Sequence, residues 1–155
     1  MVPVVNWTGD RRGAVAVQSI LLIAICVVFV YMGFEIWKVI SIKQSVHAAA
    51  YQAAKWIALN GLKCLHGECQ YGLTGYVQSF IVGPEVRSNV FVPRARPLVI
   101  IDVDYDPYDY CDNPFRVTVL LQHSVLVPPR FGQVGGRDLS LTISRTIGGH
   151  LVCAR

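Results

Sequence analysis

Residues 11–59 read RRGAVAVQSILLIAICVVFVYMGFEIWKVISIKQSVHAAAYQAAKWIAL. The first half of this stretch suits lipid. Ala14 to Phe34 is a run of 21 residues with no formal charge, and Gln18 and Ser19 are its strongly polar members. That length crosses a bilayer core of about 30 Å as a helix. No proline follows until Pro84, so the helix need not stop where the membrane stops. As one helix, Ala14 to Leu59 would be roughly 70 Å long.

The second half carries a different pattern. Val39, Ile42, Val46, Ala49, Ala53 and Trp56 recur at alternating steps of three and four, one stripe along a helix. Lys38, Ser41, Ser45, Gln52 and Lys55 fall on the other side. An apolar stripe outside the membrane must pack on something. The alanines at 48, 49, 50, 53, 54 and 58 make this face slim, so that a sheet or helix can approach closely.

With 155 residues, the chain has room for one membrane helix and one small outer domain. The net charge of +4 is mild. Arg87, Arg94 and Arg96 cluster among apolar residues and prolines, without the stacking-aromatic motif or DNA-binding helix pattern of a nucleic-acid interface. Arg11 and Arg12 directly precede the apolar run, and the positive-inside rule holds that end in the cytoplasm. The apolar core is too long for a secretory signal peptide and ends in Gly33-Phe34-Glu35-Ile36-Trp37, which offers no small-residue cleavage site. The arginine pair lacks the rest of a twin-arginine signal.

Downstream, Asn60-Gly61 reads as a helix stop. Leu73 to Val82 reads as a short second helix ended by Gly83-Pro84. From there the signals are β. Val90 to Val92 is a short candidate strand and Leu98 to Tyr105 a longer one. Phe115, Val117, Val119 and Leu121 alternate with Arg116, Thr118 and Gln122, and Leu139, Leu141 and Ile143 with Ser140, Thr142 and Ser144, which predicts a sheet with one buried face. The expected fold class is α+β: a long N-terminal helix, membrane-spanning in its first half, packed on a small antiparallel sheet. The expected divisions are a leader or cytoplasmic tail at 1–13, the span at 14–34, a stem helix at 35–60 and an extracytoplasmic domain at 61–155.

Five cysteines are present, with Cys26 inside the apolar run. The other four, Cys64, Cys69, Cys111 and Cys153, allow three pairings. Outside the cytoplasm disulfides are favoured. Local closure favours Cys64 with Cys69, leaving Cys111 with Cys153. Cys64, His66 and Cys69 form only one half of a usual zinc site. Asp102, Asp104 and Asp106 alternate along one strand, with Asp109 and Asp112 beyond, and carboxylates attract hard cations such as calcium. Pro107 and Asn113 stand where an EF-hand would need glycine and glutamate. The alternative is a solvated acidic edge that blocks strand pairing.

Basic residues, Gly13 and a long apolar helix follow the plan of class III signal sequences in type IV pilins. In detail, RRGAVAVQSILL followed by HAAAYQAAKWIA resembles the TadE-type minor pseudopilins of the tight-adherence (Tad/Flp) pilus system. The resemblance covers residues 14–59 and implies a pilin-like fold. It also implies cleavage between Gly13 and Ala14 by a prepilin peptidase, with the apolar segment kept as the packing core of a filament. Its implied partners are other pilins and pseudopilins, the peptidase, the inner-membrane pilus assembly platform and membrane lipid, with no nucleic acid and no cofactor. The implied location is the cytoplasmic membrane, N-terminus inside, and the pilus after assembly. The family commonly has glutamate five residues after the cleaved glycine, whereas Gln18 stands here. Lacking a charge to pair with a neighbour's amine, Gln18 fits a minor, priming or tip subunit. The other expectation for Gln18 is hydrogen bonding between membrane helices.

Catalysis draws little support. His47, His66, His123 and His150 are scattered, and neither Ser124 nor Ser144 lies in a nucleophile elbow. A thiol oxidoreductase would normally use CxxC, whereas Cys64 and Cys69 are spaced CxxxxC. The competing class to a pilus subunit is an uncleaved, membrane-anchored binding or accessory domain.

Overall fold

The computed structural model describes residues 10–104, 106, 113–124 and 140–152. Helix α1 runs from Asp10 to Leu65. It is followed by α2 (Gly72–Tyr76), a π-helical turn (Val77–Val82) and α3 (Gly83–Arg87). Strands β1 (Leu98–Val103), β2 (Pro114–Ser124) and β3 (Ser140–His150) form an antiparallel sheet in the order β1-β2-β3. The fold is therefore α+β, a long N-terminal helix packed on a small antiparallel sheet. The chain divides into two compact units, residues 1–39 and 40–155.

In the first unit, the apolar run of α1 buries nothing. Ile20, Leu22, Val27, Phe29 and Val30 are all exposed. An 18-residue window of this helix has a mean hydropathy of 2.6 and no share of it is buried. This is one helix near the N-terminus that is long and apolar enough to cross a membrane. The unpartnered apolar surface has a physical outlet only if lipid or another apolar body covers it. Near the end of the unit Lys38 is buried, and its ammonium lies 3.6 Å from the Glu35 carboxylate. The periodicity had set Lys38 on the solvent side. The acid one turn earlier offsets part of the desolvation cost.

In the second unit the core has two walls. From α1, Ile42, Val46, Ala49, Ala50, Ala53, Ala54 and Ile57 are buried. From the sheet come Val99, Phe115, Val117, Val119, Leu121 and Ile143. The helical turns add Val77, Val82 and Val86. The alanine face does what its slimness predicts, and the alternation of β2 holds along its length. Inward residues meet across the ladders, Val99 opposite Val119 and Leu121 opposite Ile143. At its C-terminal end the stripe lies on Ile57 rather than Trp56, which is only half-buried.

Four expectations are corrected. Asn60-Gly61 does not stop α1. The Asn60 amide bonds back to the Trp56 carbonyl at 3.3 Å, and a Cβ on Gly61 would come within 2.7 Å of Leu151 Cδ2. Gly61 is there for close packing, and tertiary contact overrides its helix-breaking tendency. The stop comes at Gly67, whose φ of +87° suits glycine, with Glu68 N–H bonded to the Lys63 carbonyl. Gly83-Pro84 likewise fails to end the second helical segment. The π-turn lets Gly83 donate to the Gln78 carbonyl. Pro84 then falls in the first turn of α3, where its missing donor leaves no bond unmade. Val90 to Val92 is a turn, not a strand, because Asn89 captures it: its Oδ1 accepts from Phe91 N–H at 3.0 Å and its carbonyl accepts from Val92 N–H at 3.1 Å. Strand β1 ends at Val103, short of the expected Tyr105, which lies outside the described residues.

Candidate functional site

Of the residues singled out by sequence, Arg11, Arg12, Gly13, Ala14 and Gln18 belong to the first unit and Cys64, Cys69, Asp102, Asp104 and Asp106 to the second. Arg11, Arg12, Gly13 and Ala14 all belong to the first turns of α1, so the bond between Gly13 and Ala14 is helical. Gln18 is exposed on the apolar run. Its neighbour Ser19 returns its hydroxyl to the Val15 carbonyl at 2.9 Å, the usual way a helical serine satisfies itself. The Gln18 amide stands two methylene groups from its Cα, further out than the Ser19 hydroxyl, and is long enough to bond between membrane helices.

Cys64 and Cys69 are joined by a disulfide with Cα atoms 4.6 Å apart. It closes the turn that follows α1, with Cys64 buried beside the last apolar residues of the stem. Cys26 is free and exposed on the apolar run. Cys111 and Cys153 lie outside the described residues. The Cys64–Cys69 bridge closes a short loop, and its loss should cost about 2 kcal/mol. Cys69→Ser is therefore expected to lower the thermal midpoint of the full chain in detergent by several degrees. Reductant should lower the wild-type midpoint by at least as much. A wild-type midpoint insensitive to reductant would sink the claim.

The acidic series is dispersed. Asp102 lies on β1 opposite Arg116, while Asp104 and Asp106 follow the strand. All three are exposed. The backbone there serves the sheet end: Asp104 N–H donates to the Pro114 carbonyl at 3.0 Å, and Asp106 N–H to Asn113 Oδ1 at 3.3 Å. Asp109 and Asp112 lie outside the described residues. Among the described residues no three His, Cys, Asp or Glu side chains stand close enough to hold a metal ion.

Two arrangements escaped the sequence. Asn89 is buried, and its amide donates to Ser41 Oγ at 3.1 Å and Ser45 Oγ at 2.8 Å. The two serines, one helical turn apart, had been set on the solvent side of the stem. They instead fasten the turn after α3 to α1. No local signal reveals this, because a serine at that spacing serves equally well in water. Asn89→Ala removes both bonds together with the turn-forming Oδ1 contact. The expected loss is about 1–3 kcal/mol, read as a lowered unfolding midpoint. A midpoint within a degree of wild type would refute the fastening role. The second arrangement is aromatic. Trp56 stacks on Tyr76 at 4.9 Å, and Tyr76 meets Phe80 at 4.8 Å. This row seats the second helical segment on α1, and Tyr51 and Phe80 remain exposed beside it.

Chemically, the described residues hold a disulfide, a buried amide–hydroxyl fastening and an apolar span. Comparisons with protein-family models, curated proteins and solved structures returned no match.

Proposed function

We propose that the chain is a membrane-anchored structural subunit of a Tad-type filament, a TadE-like minor pseudopilin cut after Gly13 by a prepilin peptidase. The observation that carries this reading is the division of α1. One half is an exposed apolar run and the other half lends a slim alanine face to a small sheet. A helix so built can be held in lipid through the first half and pass to a bundle of like helices without repacking the second. The sequence RRGAVAV at its start supports the cut and the filament class.

On this reading Arg11 and Arg12 keep the leader in the cytoplasm and unit 40–155 lies outside. The partners are other pilins, the peptidase, the assembly platform and lipid. The protein acts through assembly, priming or tip formation rather than catalysis.

One observation favours the second reading, an uncleaved anchored domain. The Gly13–Ala14 bond sits inside α1, and a peptidase would have to unwind it first. The intact mass of protein extracted from membranes decides between the two. Loss of residues 1–13 supports the pseudopilin. A full-length mass assigns the chain to the anchored-domain class.

A further inference from the structure

Strand β3 is an edge of the sheet, and one of its residues faces the unexpected way. The register sets Arg145 opposite Val119, on the same face as Ile143 and Ile147. That is the face on which α1 packs. Arg145 is nonetheless exposed, because it opens into a groove of about 260 Å³ between α1 and β3. Lys43 and His47, one turn apart on α1, line the opposite wall, with Gln44 beside them and Ile40 and Ile143 as apolar floor. Among the described residues no acidic side chain lines the groove.

An inward charge on an edge strand is one way to prevent edge-to-edge pairing. That explains Arg145 alone. It does not explain a lysine and a histidine set against it, since gathering basic groups without a counter-charge is unfavourable. An anion relieves the repulsion, and an apolar floor with an amide beside it suits an anion attached to something greasy. The chain indicates the source. Lys43 follows Phe34, the last residue of the apolar run, by only nine residues. As the continuous helix α1, that link rises about 14 Å from the end of the apolar run, within reach of a lipid headgroup region.

We infer that the groove formed by Lys43, His47 and Arg145 binds the phosphate of an anionic phospholipid headgroup. The guanidinium gives two parallel donors to phosphate oxygens, the ammonium supplies a point charge, and Ile40 and Ile143 receive the glycerol end. The consequence is orientation. A lipid held there would fix the rotation of α1 about its axis and so decide which face of the apolar run meets a neighbour. The inference rests on the membrane-anchored part of the functional reading and not on cleavage at Gly13.

The test uses the full chain in an uncharged detergent and native mass spectrometry. Phosphatidylglycerol and phosphatidylcholine are titrated separately, and inorganic phosphate is added as competitor. Retention of phosphatidylglycerol over phosphatidylcholine is expected, with millimolar phosphate displacing little of it. Each cation near an anionic lipid is worth about a factor of five. Lys43→Ala and Arg145→Ala should each weaken retention by that factor, and the double variant by roughly 25-fold. Lys63→Ala, an exposed lysine elsewhere on α1, should change nothing. Equal retention of the two lipids, or an equal effect of Lys63→Ala, would overturn the groove as a lipid site. Complete displacement by phosphate would overturn the lipid as its occupant. Alkaline carbonate extraction tests the anchor separately. Release into the soluble fraction defeats the anchor, whereas lost lipid preference in a carbonate-resistant protein defeats only the groove.

Discussion

Ile57→Ala is expected to destabilise unit 40–155 by about 3–4 kcal/mol, the upper part of the range for large-to-small changes in a packed core. Ile57 is fully buried at the point where the stem, the sheet and the chain end converge. Its Cγ2 and Leu151 Cδ2 already fill the space that a Cβ on Gly61 would need. Neighbours on a rigid helix and a hydrogen-bonded sheet can close little of the cavity left behind. The thermal midpoint of the full chain in detergent should fall by more than about 10 °C. Leu59→Ala, two residues along and exposed, is the comparison. Alanine is at least as good a helix former as leucine, so that variant should unfold close to wild type. Equal midpoints for the two variants would mean that α1 does not supply the core wall described above.

What the sequence made legible follows from periodicity. An uncharged run of 21 residues and a three-four stripe each call for cover, lipid or another apolar body for the first and a packed wall for the second. The alternation of Phe115, Val117, Val119 and Leu121 with Arg116, Thr118 and Gln122 likewise favours a half-buried strand. The failures sit where a side chain acts on something distant in sequence. Asn60-Gly61 has the composition of a helix stop, yet Leu151 closes on Gly61 from 90 positions away. Ser41 and Ser45 look solvated until Asn89 reaches them across 48 and 44 positions. Gly83-Pro84 looks like a break because a π-turn, which moves the donor register by one residue, leaves no mark in composition. Arg145 has the strand parity of Leu141, Ile143 and Ile147 and the chemistry of a surface residue, and the groove that resolves this conflict forms only when α1 packs beside β3. Cleavage, topology and filament membership stand on Arg11, Arg12, Gly13 and Gln18, whose roles depend on other molecules.

Gly13→Leu is expected to abolish processing, so that all of the protein in membranes carries the full-length mass. Two effects act in the same direction. Glycine has no side chain, which lets an enzyme approach the backbone closely. Glycine also weakens a helix interior by about 1 kcal/mol relative to alanine. Because the Gly13–Ala14 bond lies within α1, that weakness lowers the cost of unwinding it for attack. Leucine adds bulk and restores helix stability together. Gly13→Ala separates the two, adding one methyl group and the same gain in helix stability, and should slow processing without abolishing it. If the wild type is cut and Gly13→Leu is cut at the same rate, the scissile bond lies elsewhere. On the pseudopilin reading, the cut would leave a new amine at Ala14, and that amine sets the next step. Gln18 lies one helical turn beyond it and brings no charge, so each copy added to a filament leaves that amine poorly compensated in an apolar bundle. The protein should occur in few copies per filament, and Gln18→Glu should raise its incorporation severalfold, measured by quantitative blotting of sheared pili. Abundant wild-type protein along the shaft would refute the minor-subunit reading while leaving cleavage intact. Unchanged incorporation of Gln18→Glu would show that assembly does not use this pairing.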